Sequence, residues 1–224
     1  MIHFNSVSKK FGSSLALEDI SLEIKQGEFV FIVGPSGAGK STLLRILTRE
    51  LLPTNGEILV GKVDITKIKD RDVPHFRRKV GIVFQDFKLL DDRTVFENVA
   101  LTLEVQNKSD EEIQKMVEHT LKLVEIWGQR NLFPRQLSGG EAQRTAIARA
   151  VVGKPDIVLA DEPTGDLDPK TAWGVIQLLN EINSWGTTIL MATHNQEIVN
   201  TLKRRVIKLK AGKIVSDTKE GKYD

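Results

Sequence analysis

The run Phe29-Val30-Phe31-Ile32-Val33 passes directly into Gly34-Pro35-Ser36-Gly37-Ala38-Gly39-Lys40-Ser41, and then into Thr42-Leu43-Leu44-Arg45-Ile46-Leu47. An apolar run without polar alternation predicts a strand over Glu28 to Val33, covered on both faces. Leu43, Leu44, Ile46 and Leu47 have helical spacing and predict a helix over Gly39 to Leu51. Between the two lies Gly-x-x-x-x-Gly-Lys-Ser, in the strand-to-helix context that gives this pattern its meaning. Glycines at 34, 37 and 39 let the backbone wrap a phosphate chain with its N–H groups pointing inward, and the helix N-terminus adds a favourable dipole. Lys40 is expected to reach the terminal phosphates and Ser41 to hold a Mg2+ ion. Gly34, Pro35, Ser36, Gly37, Ala38, Gly39, Lys40, Ser41 and Thr42 together form the candidate nucleotide-binding loop. An ordinary glycine-rich turn is the alternative, and the strand in front of the loop argues against it.

Outward from this loop, short β-rich runs alternate with helical patterns, which points to an α/β sheet. Further strands are predicted at Val80 to Phe84, Asp156 to Ala160, Thr188 to Ala192 and Arg205 to Leu209. The first two dozen residues and Gly56 to Ile65 read as short edge strands around turns, with Pro53-Thr54-Asn55-Gly56 as a turn signal. Between Asp86 and Gly153 the character is mostly helical. There Ser109 and Glu112 make a capping box, and Ile113, Val117, Leu121 and Val124 follow as one apolar stripe. This stretch reads as a helical lobe inserted between two strands of the core. Trp127, Trp173 and Trp185 read as packing residues, Arg77-Arg78-Lys79 as a solvated approach to a strand, and the tail from Asp217 to Asp224 as frayed.

Two more stretches carry chemistry. Ile157-Val158-Leu159-Ala160 is a buried-strand pattern ending in Asp161-Glu162-Pro163. A carboxylate there can reach Mg2+ directly or through water, which suits Asp161. Adjacent strand residues point in opposite directions, so Glu162 can take a separate role and orient the attacking water. Leu137-Ser138-Gly139-Gly140-Glu141 opens a helix rich in alanine. Ser138 and Glu141 fit a capping box, which is sufficient for a plain helix start. Two adjacent glycines exceed what a cap needs, and they expose N–H groups at a second positive helix end. A second anion site in an inserted lobe suggests a head-to-tail dimer in which this lobe covers the nucleotide of another copy.

Bulk composition narrows the classes. The 224 residues are 40% hydrophobic and 28% charged, as in a soluble globular chain with a sizeable core. With 32 basic and 30 acidic residues the net charge is +2, which gives no electrostatic reason to expect a nucleic-acid partner. The absence of cysteine excludes disulfides, thiolate catalysis and Cys-ligated metal sites. The first residues, Met1-Ile2-His3-Phe4-Asn5, lack the pattern of a signal peptide. The longest apolar runs fall far short of the roughly 18 residues that span a bilayer, so any membrane role is expected to run through a partner.

Taken in order, the loop at 34–41, Gln85, Leu137 to Glu141, Asp161-Glu162, Gly165-Asp166-Leu167-Asp168 and His194 resemble the motifs of the nucleotide-binding subunits of ATP-binding cassette (ABC) systems. The resemblance covers nearly the whole chain. It implies a P-loop NTPase of the ABC type: a RecA-like, mostly parallel core, an N-terminal antiparallel β region and an inserted helical lobe. In one domain, 1–86 and 154–224 would form the core with its β region and 87–153 the lobe. It implies ATP hydrolysis with Mg2+, Gln85 touching the ion and the attacking water, Glu162 orienting that water, and His194 and Lys40 acting on the γ-phosphate. Leu137, Ser138, Gly139, Gly140 and Glu141 would meet the ATP of a partner copy in a homodimer formed on ATP binding. For Gln85, a plain loop glutamine is the other reading, and for His194 a hydrogen-bonded structural histidine. Asp168 before Pro169 reads as a helix cap, whereas in the family this loop communicates across the dimer. Phe11 reads equally as packing or as the ring that stacks on adenine. Within the family, Val83 to Leu90 with Arg93-Thr94-Val95 and Glu97-Asn98-Val99 resembles a cell-division branch. That branch works peripherally beneath an integral membrane partner, on the cytoplasmic face of the inner membrane. Lipoprotein-release and efflux subunits are the alternative. Glu141 stands where many relatives have glutamine, and Asp166 where they often have asparagine.

Overall fold

In the computed structural model, which describes residues 1–223, the run at 29–33 is a strand buried at every position. The elements in chain order begin with β1 (Ile2–Phe11), β2 (Ser14–Ile24), β3 (Phe29–Val33), α1 (Lys40–Leu47), β4 (Asn55–Val60) and β5 (Val63–Asp64). There follow α2 (Val73–Arg77), β6 (Val80–Val83), α3 (Val95–Val105), α4 (Asp110–Leu123), α5 (Gly139–Val151) and β7 (Ile157–Asp161). The chain closes with α6 (Pro169–Ser184), β8 (Thr188–Ala192), α7 (Gln196–Leu202), β9 (Arg205–Lys210) and β10 (Lys213–Thr218). These residues form two compact units: Met1–Arg77 with the chain from Asn183 onward, and Arg78–Ile182.

In the first unit β3 pairs in parallel with both β8 and β9, and β10 is antiparallel to β9. Valine, isoleucine and phenylalanine suit such a doubly covered strand because branched and aromatic side chains fill the pleat on each face. A second, antiparallel sheet has the order β2-β1-β4-β5. The short edge strands expected here are a long hairpin instead, with β1 inside the sheet between β2 and β4. Its hydrophobic pattern is broken where the register shifts near Ser6 and Asp19, both at positive φ, so periodicity alone underestimates its length. The helix α1 also ends earlier than expected. Arg49 turns left-handed, and Arg77 donates to the carbonyls of Thr48 and Arg49, which satisfies the helix end. The basic cluster at 77–79 is therefore partly engaged rather than solvated, since Arg78 also donates to the Val105 carbonyl.

The tail is not frayed over its described length. Asp217 lies in β10 and pairs with Arg205, which also meets Glu28, and Tyr223 N–H donates to Asn200. Asp224 lies outside the described residues. Trp185, read as a packing residue, is 53% exposed. No helix among the described residues is long and apolar enough to cross a membrane.

In the second unit β6 and β7 are parallel, α5 packs on β6, and α3 and α4 pack against α5 and each other. Both expected capping boxes form: Ser109 with Glu112 starts α4, and Ser138 with Glu141 starts α5. A third, Thr94 with Glu97, starts α3. The stripe Ile113, Val117, Leu121 and Val124 is buried as its spacing requires. Asn98 is fully buried and pins the loop before α3. It accepts from Leu90 N–H and donates to the carbonyls of Leu90, Arg93 and Thr94.

Candidate nucleotide site

The loop at 34–41 leaves the end of β3 and enters α1. Gly34 has φ +148, and a Cβ there would stand 2.2 Å from the Leu209 carbonyl oxygen. Gly39, at φ +105, is the N-cap of α1, and a Cβ there would meet the Ala16 carbonyl at 2.6 Å. Both positions therefore demand glycine for conformation and for space. The loop is held from behind as well, because Gly212 N–H donates to the Ala38 carbonyl. Lys40 Nζ donates back to the carbonyls of Gly34 and Pro35, at 2.8 and 3.3 Å, so the ammonium lies against the loop's own backbone. The result is a backbone cradle at a helix N-terminus, the arrangement that binds phosphate.

His194 follows β8, beside β3 in parallel, with Ile32 opposite Ala192. The loop and His194 thus leave neighbouring strands at the same edge. Thr193 N–H donates to the Ile32 carbonyl, and Asn195 caps α7 through Ile198 N–H, so both neighbours of His194 are fixed while His194 is exposed. Phe11 ends β1 and is 46% exposed, with the Lys9 ammonium 5.1 Å from the ring centroid. A ring this exposed is not part of the packed core.

In the second unit, Val83 of β6 lies opposite Ala160 of β7, so Gln85 and the pair Asp161-Glu162 leave parallel strands at one edge. Asp161 is the last residue of β7, and Glu162 has φ +48. The chain turns sharply there, and Gly165 N–H donates to the Glu162 carbonyl. Gln85 Nε2 donates to both oxygens of Asp166, at 3.3 and 3.4 Å. A Cβ on Gly165 would stand 3.1 Å from that nitrogen, so glycine admits the glutamine.

At the start of α5 the Glu141 carboxylate accepts from the Ser138 N–H and hydroxyl, at 2.8 and 2.7 Å, and from Gln129 at 2.9 Å. These bonds, the Ser138 hydroxyl first, hold the Glu141 carboxyl below its ordinary range. The second glycine has a reason the sequence did not reveal. A Cβ on Gly140 would meet the Thr171 methyl at 2.5 Å, so α5 and the start of α6 pack through the missing side chain. Leu137 is the C-cap of a short 3₁₀ turn just before Ser138. Asp168 caps α6, accepting from the N–H groups of Lys170 and Thr171, and Pro169 is its first residue. The Thr171 hydroxyl, then its N–H, keep this carboxyl below its ordinary range.

One feature was not singled out from sequence. Arg149, in the last turn of α5, donates to the carbonyls of Phe87 at 2.8 Å and Lys88 at 2.5 Å. Phe87 and Lys88 have φ +57 and +50. Such left-handed conformations cost about 1–2 kcal/mol each in residues other than glycine. An arginine within a helix carries no short motif that would signal such a contact.

A glycine cradle at a strand-to-helix turn, on a parallel sheet and in a chain with a second acidic strand end, defines a phosphate-loop nucleotide hydrolase. The family described as ABC transporter matches residues 17–165, and the chain belongs to that family, as an ATPase with the cassette fold. It is 53% identical over its full length to the cell division ATP-binding protein FtsE of Bacillus subtilis, covering 98% of that protein. It is 48% identical to the protein of that name from Mycobacterium tuberculosis, over 100% of this chain and 98% of the relative. For Escherichia coli FtsE the identity is 44% over 95% of this chain and 96% of the relative. Among solved structures, a dimeric ATP-binding cassette in a post-hydrolysis state bound to ADP and Pi aligns over 100% of both chains, with TM-score 0.90 and 39% identity. The cbiO1 protein of Clostridium perfringens, part of the ABC transporter complex cbiONQ, has TM-score 0.90 and 30% identity, over 98% of this chain and 88% of that one.

Proposed function

We propose that this chain is the ATPase subunit of a bacterial cell-division ABC complex, an FtsE working with an integral membrane partner resembling FtsX. ATP-driven pairing of two copies would be passed to that partner on the cytoplasmic face of the cell membrane, to regulate peptidoglycan hydrolysis. The observation that carries this reading is identity of 53% along the whole chain to a protein named for cell division. The single cassette domain, with a lobe over 87–153, follows the same reading.

In this mechanism the N–H groups of Gly34 to Ser41 and the Lys40 ammonium bind the phosphate tail, and Phe11 stacks on the adenine. Thr42 extends the cradle into the first turn of α1. Glu162 accepts a hydrogen bond from the attacking water and aligns it for in-line displacement. His194 and Lys40 donate to the γ-phosphate oxygens as charge develops there. Leu137, Ser138, Gly139, Gly140 and Glu141 of one copy close over the ATP held by the other, and the Asp168 loop lies at the junction between copies. Dimeric cassettes among the similar structures support the pairing.

Ser41, Gln85 and Asp161 would hold Mg2+. They offer a hydroxyl, an amide oxygen and a carboxylate, all hard donors suited to this ion. The ion would neutralise charge on the phosphates.

Capture of the tagged chain with its membrane complex from native cells tests the partner. A membrane protein with four helices and an external domain is the expected companion. A many-helix permease would overturn the division reading in favour of transport, whether of lipoproteins or of exported solutes.

A further inference from the structure

We propose that Arg149 is a positioning residue for Gln85, keeping Phe87 and Lys88, just beyond it, in a backbone conformation they would otherwise leave. The inference rests on the reading of Gln85 as a residue of the hydrolytic site. Phe87 and Lys88 are both left-handed, and neither is glycine, asparagine or aspartate, the residues that tolerate this region. Such strain persists only where the surroundings enforce it.

Local forces around the pair are weak. Lys88 N–H donates to the Asp86 carbonyl, closing a three-residue turn at Phe87. The Lys88–Asp86 ion pair is exposed on both sides, and such pairs contribute little. The enforcing contact comes from α5. The planar Arg149 guanidinium spans the carbonyls of Phe87 and Lys88, a two-point grip that arginine's rigid fork provides and a lysine ammonium does not. Burial lowers the guanidinium's pKa, and carbonyl dipoles rather than a carboxylate face it in these bonds. Charge-assisted bonds in such surroundings are strong.

The grip is itself anchored. Thr102 on α3 donates to the Arg149 carbonyl, and Gln143, further up α5, donates to the Pro163 carbonyl. With Arg149 in place the chain reverses immediately after Gln85, and the Gln85 amide lies over Gly165 against Asp166. Without it, Phe87 and Lys88 are free to return to extended or right-handed backbone, carrying Gln85 away. The other end of α5 bears the Ser138 cap, so a displacement of this helix reaches Gln85 through Arg149.

The test uses full-length protein with three variants: Arg149→Met, Arg149→Met with Lys88→Gly, and Gln85→Ala. In nucleotide-free Arg149→Met, amide hydrogen exchange across residues 86–90 is expected to rise about tenfold or more, as it does when a local opening becomes accessible. ATP turnover is expected to fall about tenfold, with binding of ATP in EDTA unchanged. Adding Lys88→Gly should recover turnover severalfold, because glycine takes the left-handed conformation without strain. A structural role of Arg149 elsewhere in the fold would not be rescued by glycine at 88. Unchanged exchange in Arg149→Met, or no rescue by Lys88→Gly, overturns the proposal. If Arg149→Met does not fold, Arg149→Lys serves in its place, with the same exchange and rescue criteria. If Gln85→Ala retains full turnover while exchange in Arg149→Met still rises, the reading of Gln85 fails and the grip of Arg149 on its loop stands.

Discussion

The side chain of Gln85 donates its amide N–H to the Asp166 carboxylate across a glycine that leaves it room. An ionised carboxylate only accepts, so the NH2 group must face Asp166 and the amide oxygen must face the other way. That orientation presents an oxygen, the atom able to meet a cation or a water proton. Asparagine at 166 offers both a donor and an acceptor and fixes neither orientation. Asp166→Asn is therefore expected to reduce steady-state ATP turnover about two- to fivefold without loss of fold, the scale of one modest hydrogen bond. Turnover at saturating ATP, with thermal unfolding as the control, checks this.

The loop glycines differ in what a methyl group would meet. Gly34→Ala places a Cβ 2.2 Å from a backbone oxygen, whereas nothing lies within 4 Å of a Cβ at Gly37. Gly34→Ala should cost more than about 3 kcal/mol of stability and abolish ATP binding, while Gly37→Ala should cost about 1 kcal/mol, its positive φ alone. Denaturant unfolding together with calorimetric ATP titration separates the two.

Asn98 is buried, and its four hydrogen bonds organise the loop from Leu90 to Thr94. Truncation to alanine strands several backbone groups at once. Asn98→Ala should destabilise by about 2–4 kcal/mol, visible as a lower denaturant midpoint.

The capping box of α5 has a pH signature. The folded-state pKa of Glu141 lies below its ordinary value of 4.5, so the carboxylate's contribution is complete above that value. It is lost as pH falls through the lowered folded value. Glu141→Gln should cost about 1 kcal/mol near pH 7, and the difference from the unsubstituted chain should shrink at an acidic pH below the ordinary carboxylate range. Urea unfolding at the two pH values provides the comparison.

Much of the fold was legible because its signals are local. A buried strand, a glycine loop and an amphipathic helix each announce themselves within a dozen residues: β3 and α1 start within a residue of their expected starts, and α4 carries its expected cap and stripe. The β1–β2 hairpin was misjudged because bulges at Ser6 and Asp19 interrupt the alternation that would have measured its length. The tail was misread because its order comes from Arg205 and Asn200, partners distant in sequence. The packing reason for Gly140 depends on Thr171, and the role of Arg149 on the backbone of Phe87 and Lys88. No spacing rule links residues brought together by tertiary packing, so these contacts came only from the structure.

In the proposed mechanism a pair of copies hydrolyses ATP, with Glu162 aligning the attacking water. Glu162→Gln keeps the shape of the side chain and removes its negative charge. Phosphate release and light-scattering mass, measured on the same sample with ATP and Mg2+, test the claim most directly. The expected result is hydrolysis reduced by about a hundredfold or more, with a stable ATP-bound dimer accumulating. Phosphate release at the unsubstituted rate, or a protein that stays monomeric with ATP bound, would contradict it.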